Sequence, residues 1–134
     1  WLRAHARLPS AVVDGVTWVW PEGENPASRR HAVDDQVRLL APFDPVVWDR
    51  RRFELLWGWA YRLEAYLPAQ KRTMGHYALP VLWGEQMVGW ANLRLERGKL
   101  RHEIGFVNGH PGGPAFEPAL QAALAAFERF LTPS

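Results

Sequence analysis

Leu79-Pro80-Val81-Leu82-Trp83-Gly84-Glu85-Gln86-Met87-Val88-Gly89-Trp90 decides the fold of this 134-residue chain. Two runs of β-formers flank Gly84-Glu85, a two-residue turn, so residues 77–83 and 86–96 read as antiparallel neighbours. Arg97-Gly98 makes a second turn and returns residues 99–107 across the same sheet. Turns at about 8–12-residue spacing mark an antiparallel meander, curled or closed into a barrel. Upstream, Trp59, Tyr61, Leu63 and Ala65 alternate with Arg62 and Glu64, the period of a half-buried strand. Residues 36–40 read as a short strand closed by Pro42.

Helical spacing replaces strand spacing in two places. Phe53, Leu56 and Trp57 share a face over residues 49–57, with Asp49 as the expected N-cap. Leu120, Leu124, Phe127 and Leu131 line one side of residues 118–131, and Pro118 suits a first helical turn. That helix is expected to lie across the sheet as a lid on the core. Val12, Val13, Val16 and Trp18 around Asp14-Gly15 predict a hairpin, and residues 21–30 and 108–114 are loops rich in Pro, Gly and Asn. The predicted fold class is α+β: an antiparallel β-meander or partly closed barrel, a short helix after Trp48-Asp49, and a C-terminal helix. Residues 2–8 read as the tail of a helix, and the start at Trp1 suggests a piece of something longer.

Composition narrows the function classes. Apolar residues at 48% and charged residues at 22% fit a soluble globular domain with one modest core. Cysteine is absent, which removes disulfides and thiolate metal sites and fits a reducing compartment. No apolar run approaches the roughly 20 residues of a membrane span. No secretory leader is visible. The net charge is only +2, so the distribution matters more than the total. Between Trp48 and Arg72 stand Arg50, Arg51, Arg52, Arg62, Lys71 and Arg72 against Asp49, Glu54 and Glu64. Arginine dominates the cations, and its planar fork suits bidentate phosphate contact and stacking. An Arg-rich solvated face is the plain alternative.

Catalytic motifs are missing. His5, His31, His76, His102 and His110 show no ligand spacing, so no metal and no other cofactor is expected. Ser10, Ser28 and Ser134 sit in no nucleophile elbow. The glycine-rich run at residues 109–113 lacks the Lys-Ser/Thr of a phosphate loop. Asp44, between Phe43 and Pro45, reads as a turn residue, and Asp49 as a cap or an arginine partner. Most of the eight tryptophans fall at core-facing positions rather than on a stacking platform. Lys71 and Arg72, placed between two predicted strands, are expected near a hairpin tip able to enter a groove.

Over residues 36–96 the chain resembles the C-terminal region of the bacterial winged-helix crosslink-repair DNA glycosylases. The likeness is carried by Pro42-Phe43-Asp44-Pro45, Trp48-Asp49-Arg50 with Arg52, and residues 61–66. Pro68, Lys71-Arg72, Gly75, Tyr77 and Leu79-Pro80 continue it. It implies a longer DNA-repair protein, with winged-helix units before a β-rich module, that excises alkylated or crosslinked purines. On that basis residues 1–35 are a linker or hairpin from a preceding unit, and residues 36–134 the module itself. The family's catalytic signature is two glutamines separated by one residue. Here Gln36, Gln70, Gln86 and Gln121 offer no such pair, so no catalytic residue is assigned and the module is not expected to act as an enzyme alone.

The resemblance makes Arg50, Arg52, Lys71 and Arg72 phosphate ligands and places Tyr77 near a displaced sugar or base, with Asp44 and Asp49 in support. Asp49 is expected to orient Arg50 or Arg52. The implied partners are double-stranded DNA with damaged bases and the N-terminal winged-helix domains of the same protein, in the bacterial cytoplasm at the nucleoid, with no membrane. Two other classes stay open: a non-enzymatic DNA-binding accessory or regulatory domain, and a β-barrel protein-interaction module.

Overall fold

The computed structural model describes residues 8–132. The helix tail expected at residues 2–8 and His5 fall outside them, Leu8 excepted. The chain divides into two compact units at Val33/Asp34. In the first, β1 (Ser10–Val13) and β2 (Val16–Val19) pair antiparallel, with Val13 opposite Val16. Asp14 and Gly15 both take positive φ, 50° and 75°, as a tight two-residue turn requires. Ser28 caps a single 3-10 turn at Arg29–His31, and Arg30 pairs with Glu24.

The second unit holds a four-stranded antiparallel sheet in the order β3 (Val37–Leu39), β4 (Leu79–Trp83), β5 (Gln86–Glu96), β6 (Lys99–Phe106). The meander is open: β3 and β6 are its edges and do not meet, so it does not close into a barrel. The register passes from Val81↔Gly89 to Leu82↔Met87, leaving Val88 as an extra residue in β5. Met87 joins the core on one side and Val88 packs into the core on the other.

Helix α3 (Phe116–Leu131) covers one face of the sheet as the spacing predicts. It buries Phe116, Leu120 and Leu124 against Val37, Val81 and Ala91, and Glu128 accepts the Leu100 N–H of β6 at 2.8 Å. The opposite face carries a second core of Val47, Phe53, Tyr61 and Met87. Its covering elements are α1 (Pro45–Trp48) and α2 (Arg50–Trp57). Asp44 caps α1 through the Val46 N–H at 2.8 Å, and Asp49 caps α2 through the Arg52 N–H at 3.0 Å. Gly58, at φ 72°, ends α2 in a left-handed cap.

Two expectations need correction. Residues 59–65 pair with no strand, although their burial alternates in part. Side chains anchor them instead: the Trp59 indole donates to the Met87 carbonyl at 3.1 Å, and the Tyr61 hydroxyl to the Ala78 carbonyl at 2.7 Å. Alternation reports which side faces the core, not whether a ladder forms. Consequently the stretch from Pro68 to Gly75 is no hairpin tip. It is a loop with a 3-10 turn at Ala69–Lys71.

Candidate nucleic-acid interface

Glu64 organises the region where the cations gather. It is the buried charged residue of the described chain, 6% exposed, where alternation had placed it on the solvent side. Its Oε2 accepts the backbone N–H groups of Thr73 at 2.8 Å, Met74 at 2.7 Å and Gly75 at 3.2 Å, while Oε1 accepts the Thr73 hydroxyl at 2.8 Å. Burial alone would raise the pKa of this carboxyl. The donors from Met74, Thr73 and Gly75 outweigh it and hold the pKa below the usual value. Asn92 of β5 grips the same turn from the sheet, donating to the Met74 carbonyl at 2.6 Å. Gly75 sits at φ 118°, which favours glycine, and a Cβ there would lie 2.3 Å from the Asn92 amide oxygen, so a side chain must displace that amide.

From this braced turn the surface continues in two directions. Leu93 packs with the α3 core, so its neighbours Asn92 and Arg94 face the other way. Across β6 they oppose Glu103 and Arg101, and Glu96 opposes Lys99. Glu96 is shared by Arg94 at 2.9 Å and Arg101 at 3.6 Å, which leaves this end of the sheet net positive beside Arg97 and Lys99. Sequence reading passed over these cations because they were spread along two strands. Cross-strand pairing in register was the signal that joins them.

In the other direction lies a cleft of about 330 Å³. Its floor includes buried Val47 and Tyr61, and Phe43, Trp48, Tyr66 and Arg50 stand around it. Phe43 is 65% exposed, Trp48 75% and Tyr66 89%. Arg50 is the arginine that lines it. Arg52 hydrogen-bonds the Pro45 carbonyl, between Phe43 and Trp48, and the Arg72 Nε donates to the Leu67 carbonyl at 2.8 Å, next to Tyr66. Lys71 is exposed on the adjoining 3-10 turn.

Tyr77 is half exposed and close enough to Tyr61 that its charge, after burial, helps push the Tyr61 phenol up to about 12. Asp44 and Asp49 spend their carboxylates on helix N-termini, and among the described residues Asp49 forms no ion pair with an arginine. Among the described residues, none of Arg50, Arg51, Arg52, Arg62, Lys71 and Arg72 pairs with a carboxylate. By contrast Arg38 is held by Asp34 at 2.7 Å.

Phe43, Trp48 and Tyr66 belong to the stretches that carried the sequence resemblance, yet they were not singled out for contact. Nothing in their spacing tells an exposed aromatic from a core one. Trp57 and Trp83, of the same residue type, bury part of their rings and tie their indoles to the carbonyls of Glu85 and Asp35. No helix of the described chain is long and apolar enough to cross a membrane. No solved structure matches the chain. A family profile described as DNA glycosylase AlkZ-like matches residues 1–130, nearly the whole of the chain, which therefore belongs to the AlkZ-like DNA glycosylase family and to its setting in DNA repair.

Proposed function

We propose that this chain is the DNA-facing module of a repair glycosylase that excises alkylated or crosslinked purines. In this reading it is preceded in the full protein by winged-helix units that carry the catalytic glutamine pair, and it works at the nucleoid in the bacterial cytoplasm. Family membership supplies DNA as the substrate. The observation that carries the module's role is that, among the described residues, the cations from Arg50 to Arg72 pair with no carboxylate, with Arg50 lining an aromatic cleft and Lys71 and Arg72 next to the braced turn. Arginines satisfied by carboxylates have little left for phosphate. These spend at most one donor on a backbone carbonyl and keep the rest of the fork free. Glu64 and Asn92 hold the loop backbone, so Lys71 and Arg72 meet the duplex without first being ordered.

Chemistry is absent from the module by this account. Its glutamines are Gln36, Gln70, Gln86 and Gln121, no two separated by a single residue. The role is to neutralise phosphates beside the lesion while another part of the enzyme reaches the glycosidic bond. Fluorescence anisotropy with a short labelled duplex over a salt series tests it. Arg50, Arg62 and Lys71 are exposed and their side chains make no hydrogen bond among the described residues, so their triple alanine variant removes charge without removing support. If all three touch phosphate, the slope of log affinity against log salt flattens by roughly 2–3. An unchanged slope would overturn the proposal.

A further inference from the structure

The geometry points to the cleft between Phe43, Trp48 and Tyr66 as a seat for one unpaired nucleobase, with Arg50 on the phosphate that flanks it. This inference rests on the reading of the chain as DNA-facing and deepens it, because phosphate neutralisation alone requires no aromatic cleft. Three large aromatics from the turn before α1, the end of α1 and the turn after residue 65 stand exposed around one concavity. Exposing that much ring surface costs free energy, which a partner with a flat π-face would recover. The floor is apolar at Val47. The Tyr61 hydroxyl there is already bonded to the Ala78 carbonyl. A ligand entering meets the rings of Phe43, Trp48 and Tyr66, and stacking on such rings tolerates any base.

Charge selects nucleic acid over an acidic or apolar peptide of equal area. Arg50 lines the cleft, and the guanidinium groups of Arg52 and Arg72 are fastened to the carbonyls of Pro45 and Leu67, which are close in the chain to residues that line it. Among the described residues no carboxylate lines the cleft, and the nearest along the chain, Asp44, Asp49 and Glu64, are turned onto backbone N–H groups. Aromatic walls with a cationic rim suit a base and its phosphate, where one ring stacks and one fork pairs. A paired base cannot enter, since both its faces are already stacked in the duplex. An extrahelical or single-stranded base can.

The test compares two labelled duplexes of the same sequence at one salt concentration, one fully paired and one with a single unpaired base. Wild-type chain is expected to bind the bulged duplex about tenfold more tightly. In Trp48→Ala combined with Tyr66→Ala, the ratio of the two affinities falls to about one. Trp48→Phe, which keeps a stacking ring, restores most of the preference. Both residues are largely exposed, and circular dichroism checks that the variants fold. If the paired duplex binds and the bulge adds nothing, or if the preference survives the double variant, the cleft is not a base site while the DNA-facing reading stands. If neither duplex binds, both fail.

Discussion

Replacing Glu64 is the sharpest perturbation the structure offers. Glu64→Ala strands the Thr73, Met74 and Gly75 N–H groups and the Thr73 hydroxyl, all of which converge on one carboxylate. An unsatisfied buried donor costs about 1–3 kcal/mol. The site is partly open to water, because Thr73 is exposed while Met74 and Gly75 are half-buried. Solvent will rescue some donors, so the loss is set at about 3 kcal/mol rather than at the sum. Glu64→Gln keeps the shape and lets the amide oxygen face the three N–H groups; it surrenders the charge and makes the Thr73 hydroxyl turn to accept from the amide NH2, at about 1 kcal/mol. Urea denaturation measures both, and amide hydrogen exchange at Thr73, Met74 and Gly75 shows where the loss falls.

The pH dependence has a definite sign. The folded-state pKa of Glu64 is depressed, so the unfolded chain binds the proton more readily. The stabilisation is complete above the ordinary glutamate pKa of about 4.3 and disappears as pH falls through the lower folded value. The wild-type curve should therefore drop more steeply than the Gln variant's in that acid window. An alanine variant within about 0.5 kcal/mol of wild type, with unaltered exchange, would refute the bracing role.

Gly75→Ala combines a positive φ with a Cβ set against the Asn92 amide, which must swing off the Met74 carbonyl. It should cost about 2 kcal/mol, and combining it with Asn92→Ala should cost less than the two singles together, read by denaturation of the four proteins in the cycle. Of the three tyrosines, Tyr61 should ionise late, near pH 12, in a near-ultraviolet absorbance titration. Because the folded state resists this ionisation, stability should fall as pH rises from about 10 towards the folded value, and Tyr61→Phe should remove that slope. Asp49→Ala should cost about 1 kcal/mol in urea melts through loss of the α2 cap, and Asp49→Asn should recover most of it.

Local chemistry made much of the fold legible. Asp14-Gly15, Gly84-Glu85 and Arg97-Gly98 are turns because their backbones need the positive φ angles that the structure shows, and the strands between follow from them. Asp49 and Gly58 bound α2 from within the chain. The segment at residues 59–65 misled because alternation is a statement about burial. Trp59 and Tyr61 do face the sheet, but their hydrogen bonds run through side chains to Met87 and Ala78, contacts between residues 28 and 17 positions apart. No local pattern encodes a partner at that distance. Openness of the meander was equally hidden, because closure depends on whether β3 and β6 meet, not on either strand's own residues.

The candidate site was half visible for a related reason. Charge is a property of single residues, so the cluster from Arg50 to Arg72 could be read directly. Freedom to act is a property of pairs. Arg38 and Arg72 look alike in sequence; one is neutralised by Asp34, and the other leans on a carbonyl and pairs with no acid among the described residues. The same distinction inverts the reading of Glu64. On an alternating stretch beside Arg62 it looks like a surface acid that would weaken a phosphate-binding face. Turned inward onto four donors, its charge is spent on the backbone of the loop that presents Lys71 and Arg72. A basic surface thus tolerates an acid at its centre, because that acid's acceptors point at the protein and its role is to keep the cations in place.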